Sequence, residues 1–185
     1  MLQRHRAPGI DPRPSETVKG FEHLKHEWVA VLCWLAEARV EYVVVGPVGE
    51  AIREGAGADG TVAIVPAPYH RNLDRLARAL MAAHVRLRTG GDSDTAPVRF
   101  NAAALSTGEH WTLRCEATYD VDIEMFPAER YSELLYEAGR FEIASGCSVE
   151  VASHEDLGRC SHVRIAGVEP EIRVSRGPAV PQSSS

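Results

Sequence analysis

Lysine is almost missing from this chain: Lys19 and Lys25 are the only two, and nearly all of its cations are arginines. Carboxylates outnumber cations 26 to 20, leaving a formal charge of -6 and a pI near 5.8. That balance excludes the dense basic patch on which tight, unspecific nucleic-acid binding depends. Arginine in place of lysine suits paired carboxylates or phosphate oxygens, which its planar fork can grip at two points. Cysteine is also scarce. Cys33, Cys115, Cys147 and Cys160 lie far apart, with no CxxC or His-x-Cys spacing, so the pattern excludes a local zinc knuckle or redox motif and predicts reduced, mostly buried thiols. No run approaches the ~18–20 apolar residues of a membrane span. The polar, Pro-containing N-terminal stretch has no continuous apolar run of the signal-peptide kind, and a cytoplasmic protein is expected.

Common catalytic signatures are absent too. The histidines form no HExxH or His-x-His pattern, and His23 and His26, three apart, read as one solvated flank of a helix. Ser106-Thr107-Gly108 lacks the strand-to-helix setting of a nucleophile elbow. The stretch from Gly55 to Gly60 precedes a strand instead of opening a helix and has no Walker lysine, so it reads as a flexible turn. No internal repeat or low-complexity linker divides the chain.

What remains is a 185-residue chain, 44% hydrophobic and 25% charged, long enough for one compact domain. Residues 1–14 read as a flexible lead-in, 15–165 as the domain, and 166–185 as a tail disordered at least from residue 177. Ser15 or Thr17 is placed to cap a first helix whose apolar stripe runs through Phe21, Leu24, Trp28, Val31, Leu32 and Leu35 to about Arg39. Trp34 falls on a different side and marks a candidate contact surface. Tyr42 to Val45 and Thr61 to Val65 are β-branched runs closed by Gly46-Pro47 and Pro66, hence buried strands. Short helices are expected over Val48 to Glu54 and Arg71 to Ala83, a short strand over Val85 to Arg88, and a polar loop over Thr89 to Asn101. Trp111 to Cys115 and Thr118 to Phe126 form a hairpin or sheet neighbours. Pro127 starts a helix through about Ala138. Phe141 to Ile143 and Ser148 to Val151 flank a tight turn at Ser145-Gly146, and Ser153 caps a last helix through Cys160. Strands alternating with helices predict an α/β (α+β) fold, a mixed β-sheet with helices packed on it.

Possible chemistry is concentrated in Thr118 to Phe126. Residues two apart on a strand share a face, so Asp120, Asp122 and Glu124 point one way while Val121, Ile123 and Met125 enter the core. Such a row of like charges needs solvent, arginine neighbours or a divalent cation. Arg88, Arg99 and Arg114 are the candidate neighbours, in which case the row belongs to a plain structural scaffold. Weak Mg²⁺ binding by Asp120, Asp122 and Glu124 is the other reading.

From Leu35 to Cys160 the order and spacing resemble the DNA polymerase β-like nucleotidyltransferase superfamily, especially its small bacterial stand-alone and toxin–antitoxin-type domains. Three pieces carry the resemblance: Tyr42-Val43-Val44-Val45-Gly46, the segment from Asn72 to Leu80, and the track from Thr118 to Leu157. Active members hold nucleotide phosphates on a Gly-Gly or Gly-Ser turn. They bind two divalent ions through an Asp-x-Asp pair on the next strand and a third carboxylate on a neighbouring one, so that the ions stabilise an in-line displacement. Here Gly46 matches the first glycine and a nucleotide-binding role, but Pro47 replaces the second residue and has no N–H to offer. Thr61-x-Ala63 stands where Asp-x-Asp is expected. Asp122 matches the third carboxylate, the surviving catalytic position. The resemblance therefore implies a pseudoenzyme: a nucleotidyltransferase-like fold without metal-dependent transfer, needing no cofactor, that binds a nucleotide, a protein partner or a second copy of itself. The alternative is an active metal-dependent nucleotidyltransferase using Asp122 with Asp120, Glu124 or Asp59.

Overall fold

The valine-rich runs become the middle of a sheet. In the computed structural model, which describes residues 7–57, 59–90 and 94–160, β1 (Tyr42–Val45) is buried at every position and β2 (Val62–Pro66) at all but Ala63. They pair antiparallel, Val45 opposite Ala63 and Val43 opposite Val65. The chain then runs α3 (His70–Ala82), β3 (Arg86–Arg88), β4 (Thr95–Pro97), α4 (Ala102–Thr107), β5 (His110–Cys115), β6 (Tyr119–Glu124), α5 (Ala128–Glu137), β7 (Gly139–Ala144), β8 (Cys147–Val151) and α6 (His154–Cys160), with α1 (His26–Glu37) ahead of β1 and α2 (Gly46–Glu54) after it. Among the described residues eight strands form one mixed sheet in the order β4-β3-β5-β6-β2-β1-β8-β7. β2 runs parallel to β6, and β1 parallel to β8. The expected central neighbours β1, β2 and the acidic strand thus lie side by side, and the expected hairpins β5–β6 and β7–β8 both form.

Strand alternation gives the sheet two unlike faces. Val62 and Ile64 of β2, Tyr119, Val121 and Ile123 of β6, and Cys147, Val149 and Val151 of β8 are buried on one, where α1 packs across β2, β6, β7 and β8. Trp28, Leu32 and Leu35 of α1 are buried in that contact, as expected from their helical spacing. Tyr42, buried here, donates its hydroxyl hydrogen to Leu32 O at 2.9 Å. Asn72, fully buried on α3, closes the adjoining corner: its Nδ2 donates to Glu41 O and Ala67 O, and its Oδ1 accepts from Glu41 N at 2.8 Å. Every hydrogen-bonding bond of that amide is local to the β1–β2 ends, so it acts as a polar pin in an apolar region.

Three expectations are corrected. The first helix starts at His26, not after Ser15 or Thr17, because Gly20 at φ +100° breaks any helical path. Phe21 and Leu24 reach the core from consecutive turns, and Thr17 instead bridges Ala144 on β7. His23 therefore precedes the helix, where its Nε2 lies 2.8 Å from Ala51 O. Trp34 is not an outer contact surface. It is 1% exposed, and its Nε1 donates to Pro8 O at 2.8 Å, because residues 7–14 lie over it with Ile10 buried and its N–H donating to Glu116 Oε1. The polar loop after β3 contains β4 and leads into α4, whose Asn101 cap accepts from Ala104 N at 2.7 Å. The expected C-terminal tail lies outside the described residues. Among the described residues no helix is long and apolar enough to cross a membrane.

Candidate functional site

The site expected from the sequence assembles on the second face of the sheet. β6 alternates as its sequence demands, with Asp120, Asp122 and Glu124 half-buried and Tyr119, Val121 and Ile123 buried, while Met125 just past its end is only partly buried. Asp122 lies level with Ala63 on β2 and with Thr112 on β5. Ala63 in turn lies level with Val45, and a Cβ built on Gly46 would stand 3.4 Å from that of Ala63. Gly46, Ala63 and Asp122 therefore form one row that crosses β6 and β2 and reaches the start of α2 at the end of β1. Thr61 sits just ahead of β2, and by the same alternation falls on the Ala63 side, level with Asp120.

The turn at Gly46 is a helix start. Gly46 takes φ +67°, a conformation that favours glycine, and Pro47 occupies the first turn of α2, where its fixed φ fits and its missing N–H costs the helix nothing. The approach to that turn is also partly covered: a Cβ on Gly60 would lie 3.1 Å from Pro47 Cγ, and Trp28 Nε1 donates to Gly60 O at 3.1 Å. The glycine-rich stretch before β2 is thus tethered to α1. Asp59 belongs to the same tether, its carboxylate 2.7 Å from Lys25 Nζ, and the hydrogen bond from that ammonium lowers its pKa.

The carboxylate row divides into two unlike ends. Asp120 is gripped by the guanidinium of Arg114, with Nε to Oδ1 at 2.7 Å and Nη2 to Oδ2 at 2.9 Å, while Arg88 Nη1 lies 3.1 Å from Oδ2. This realises the scaffold reading for one of the three acids, through Arg88 and Arg114. At the other end, Glu124 faces His110 across the β5–β6 pair. Burial pushes the Glu124 carboxyl up; His110 and Arg130 pull it down, and the charge of Asp122 raises it again. Arg130 itself is stacked on the Phe126 ring, 3.8 Å from its centroid.

These residues do not fit the two-ion cage of an active nucleotidyltransferase. Across from Asp122 stand a methyl group on β2 and a hydroxyl on β5, Asp120 is engaged by two arginines, and among the described residues no three His, Cys, Asp or Glu side chains come together to hold a metal.

A second feature of this face escaped sequence reasoning. Arg140 and Glu142 of β7 pair with Glu150 and Ser148 of β8, and Glu150 lies level with Val43, so all four share the face of Asp122. With Tyr131 and Leu135 of α5 they line an open cleft of about 630 Å³. Leu135, which lines it, is 41% exposed, and the next residue of α5, Tyr136, is 86% exposed. The cleft depends on β8 inserting between β1 and β7, a long-range pairing that no local pattern announces. Ser106, dismissed as a nucleophile, donates its hydroxyl to Ala103 O within α4. No family model and no curated protein matches the sequence.

Proposed function

We propose that this chain is a nucleotidyltransferase-like scaffold that has lost metal-dependent nucleotidyl transfer and works as a binding module. The observation that carries the reading is the register of Ala63 with Asp122 beside Gly46. The resemblance puts a carboxylate at that point of β2, and a methyl group cannot hold the ion that would bridge a triphosphate and an attacking oxygen.

Of the two ligand classes the resemblance allows, the geometry favours a protein partner over a nucleotide. Pro47 has no N–H for a phosphate, Gly60 lies against it, and the two guanidinium groups beside the row are engaged by Asp120. The α5 side, by contrast, offers exposed Leu135, followed in the helix by exposed Tyr136, next to a cleft bearing Glu142 together with Glu41 and Glu150, which Arg75 and Arg140 meet at 3.5 and 3.6 Å. An aromatic, partly apolar rim beside carboxylates suits a partner carrying arginine or lysine among apolar residues.

Incubation of the full chain with each α-labelled nucleoside triphosphate in Mg²⁺ or Mn²⁺ tests the loss of chemistry. The expected result is no metal-dependent transfer to protein, nucleic acid or nucleotide acceptors. Transfer that disappears in Asp122→Asn would establish the active alternative built on Asp122 with Asp120, Glu124 or Asp59.

A further inference from the structure

Two helices carry the large apolar side chains that the described residues leave exposed. Tyr69 directly precedes α3 and Met81 lies near its end, while Leu135 and Tyr136 belong to α5. α5 is thinly covered: of its ten residues only Tyr131 and Leu134 are buried, and Tyr131 and Leu135 line the open cleft. A helix that short is marginal unless packing covers it. On its outer side Glu129, Glu133 and Tyr136 follow at steps of four and three, one exposed stripe with Glu137 on its flank. The single cation of α5, Arg130, is stacked on the Phe126 ring. α3 has the opposite sign. Arg71, Arg78 and Met81 share its outer stripe, all exposed, with half-buried Arg75 beside them. The single carboxylate of α3, Asp74, is met by His70 Nδ1 at 3.0 Å. Among the described residues no ion pair uses Glu129, Glu133, Glu137 or Arg71.

We propose that the α5 side takes a second copy of this chain, which seats the outer stripe of its α3 against the outer stripe of α5. The inference rests on the reading that this side binds a protein partner bearing arginine among apolar residues, a description that the chain's own α3 meets. Arg71 and Arg78 complement Glu129, Glu133 and Glu137, and the Tyr136 ring offers its face to a guanidinium. Exposed ion pairs add little affinity one by one, but opposed rows of charge fix which surfaces meet and how fast. Covering Tyr136 and Met81 supplies the apolar part. Because α3 and α5 are different surfaces, each pairing leaves one of each open. The contact is therefore heterologous, and copies add head to tail. Two helices laid together bury a small area, so the association is weak and depends on concentration.

Sedimentation velocity on the full-length chain tests this, from micromolar to about 0.5 mM protein, in ~50 mM and ~500 mM salt. The weight-average mass is expected to climb above the 20.2 kDa of one chain with rising concentration and to fall back at the higher salt. Two variants each reverse one side: Glu129→Arg with Glu133→Arg and Glu137→Arg on α5, and Arg71→Glu with Arg78→Glu on α3. Each, shown to be folded by circular dichroism, should associate at least about tenfold more weakly than native. An equal mixture of the two should associate again, because one still offers native α3 and the other native α5. Tyr136→Ser, which keeps every charge, should weaken native association by several-fold. A native chain that stays monomeric throughout, association unchanged in either reversed variant, or a mixture that stays apart would overturn the inference. A monomeric native chain removes the second copy as the occupant, whereas metal-dependent transfer of labelled nucleotide would sink the loss of chemistry and leave the sedimentation result standing.

Discussion

The same strands give this sheet two faces with different tasks. On one, Val62, Ile64, Val121 and Ile123 are at most 1% exposed and meet α1; on the other, one residue along each strand, Ala63 and Asp122 meet side by side with Thr112. The first face is under strong packing constraint, since deleting even a few methylenes there leaves a cavity. The second carries a methyl group at the point where the proposed function puts a lost acid. The contrast teaches that residues of one face can change while the sheet is kept, because alternation places the two sets of residues on opposite sides.

The comparison breaks most plainly at Ile64. Ile64→Ala is expected to cost about 3–4 kcal/mol in urea denaturation, by lost transfer energy and residual cavity, whereas Ala63→Ser next door should change stability by less than about 0.5 kcal/mol. Equal costs would mean that the two faces are not distinct. On the polar side the largest effect is expected at Asp120. Its removal leaves Arg88 and Arg114, each with side chains only 19% exposed, without their shared carboxylate, so Asp120→Ala should cost about 1–2 kcal/mol and Asp120→Asn somewhat less. A neutral Asp120→Ala would reduce that ion triad to ornament.

How much of this arrangement was legible depends on the range of the interactions. The alternation of β6, the valine runs of β1 and β2, and the stripe of α3 are local, and each predicted its element to within a residue or two. The N-terminal end of α1 was misplaced because Phe21 and Leu24 have helical spacing to Trp28 while lying in turns after Gly20. β4 offers three residues ending in proline, too few to show alternation. The register of Ala63 with Asp122 followed only from combining local patterns with the resemblance. The β1–β8 pairing had no such support, so the cleft beneath α5 was invisible.

A smaller effect sharpens the difference between the two ends of the acidic row. Burial raises the Glu124 pKa, so the folded chain binds that proton more tightly than the unfolded chain does. The charged carboxylate is a penalty above the folded pKa, and it is progressively relieved as pH falls toward the unfolded value. Glu124→Gln is therefore expected to match or exceed native stability at neutral pH, with the advantage shrinking as pH falls toward about 4, the ordinary Glu range. Denaturation midpoints of the two proteins across that window check the sign. A variant that is less stable at neutral pH would mean that Glu124 gains more from His110 and Arg130 than burial costs it.

Loss of metal chemistry requires that Ala63 and Thr61 face Asp122, and the double variant Thr61→Asp, Ala63→Asp measures this most directly. It places two carboxylates on the side of β2 that carries neither Val62 nor Ile64, so the apolar face is untouched. Clustered carboxylates repel without a cation, and an ion that binds only the folded state raises its stability in proportion to its binding. Melting curves in chelator and in millimolar Mg²⁺ should show a variant destabilised in chelator whose Tm recovers by several degrees with Mg²⁺, while native protein barely responds. A variant whose Tm responds to Mg²⁺ no more than native would contradict the account, because the three side chains would then not share one site.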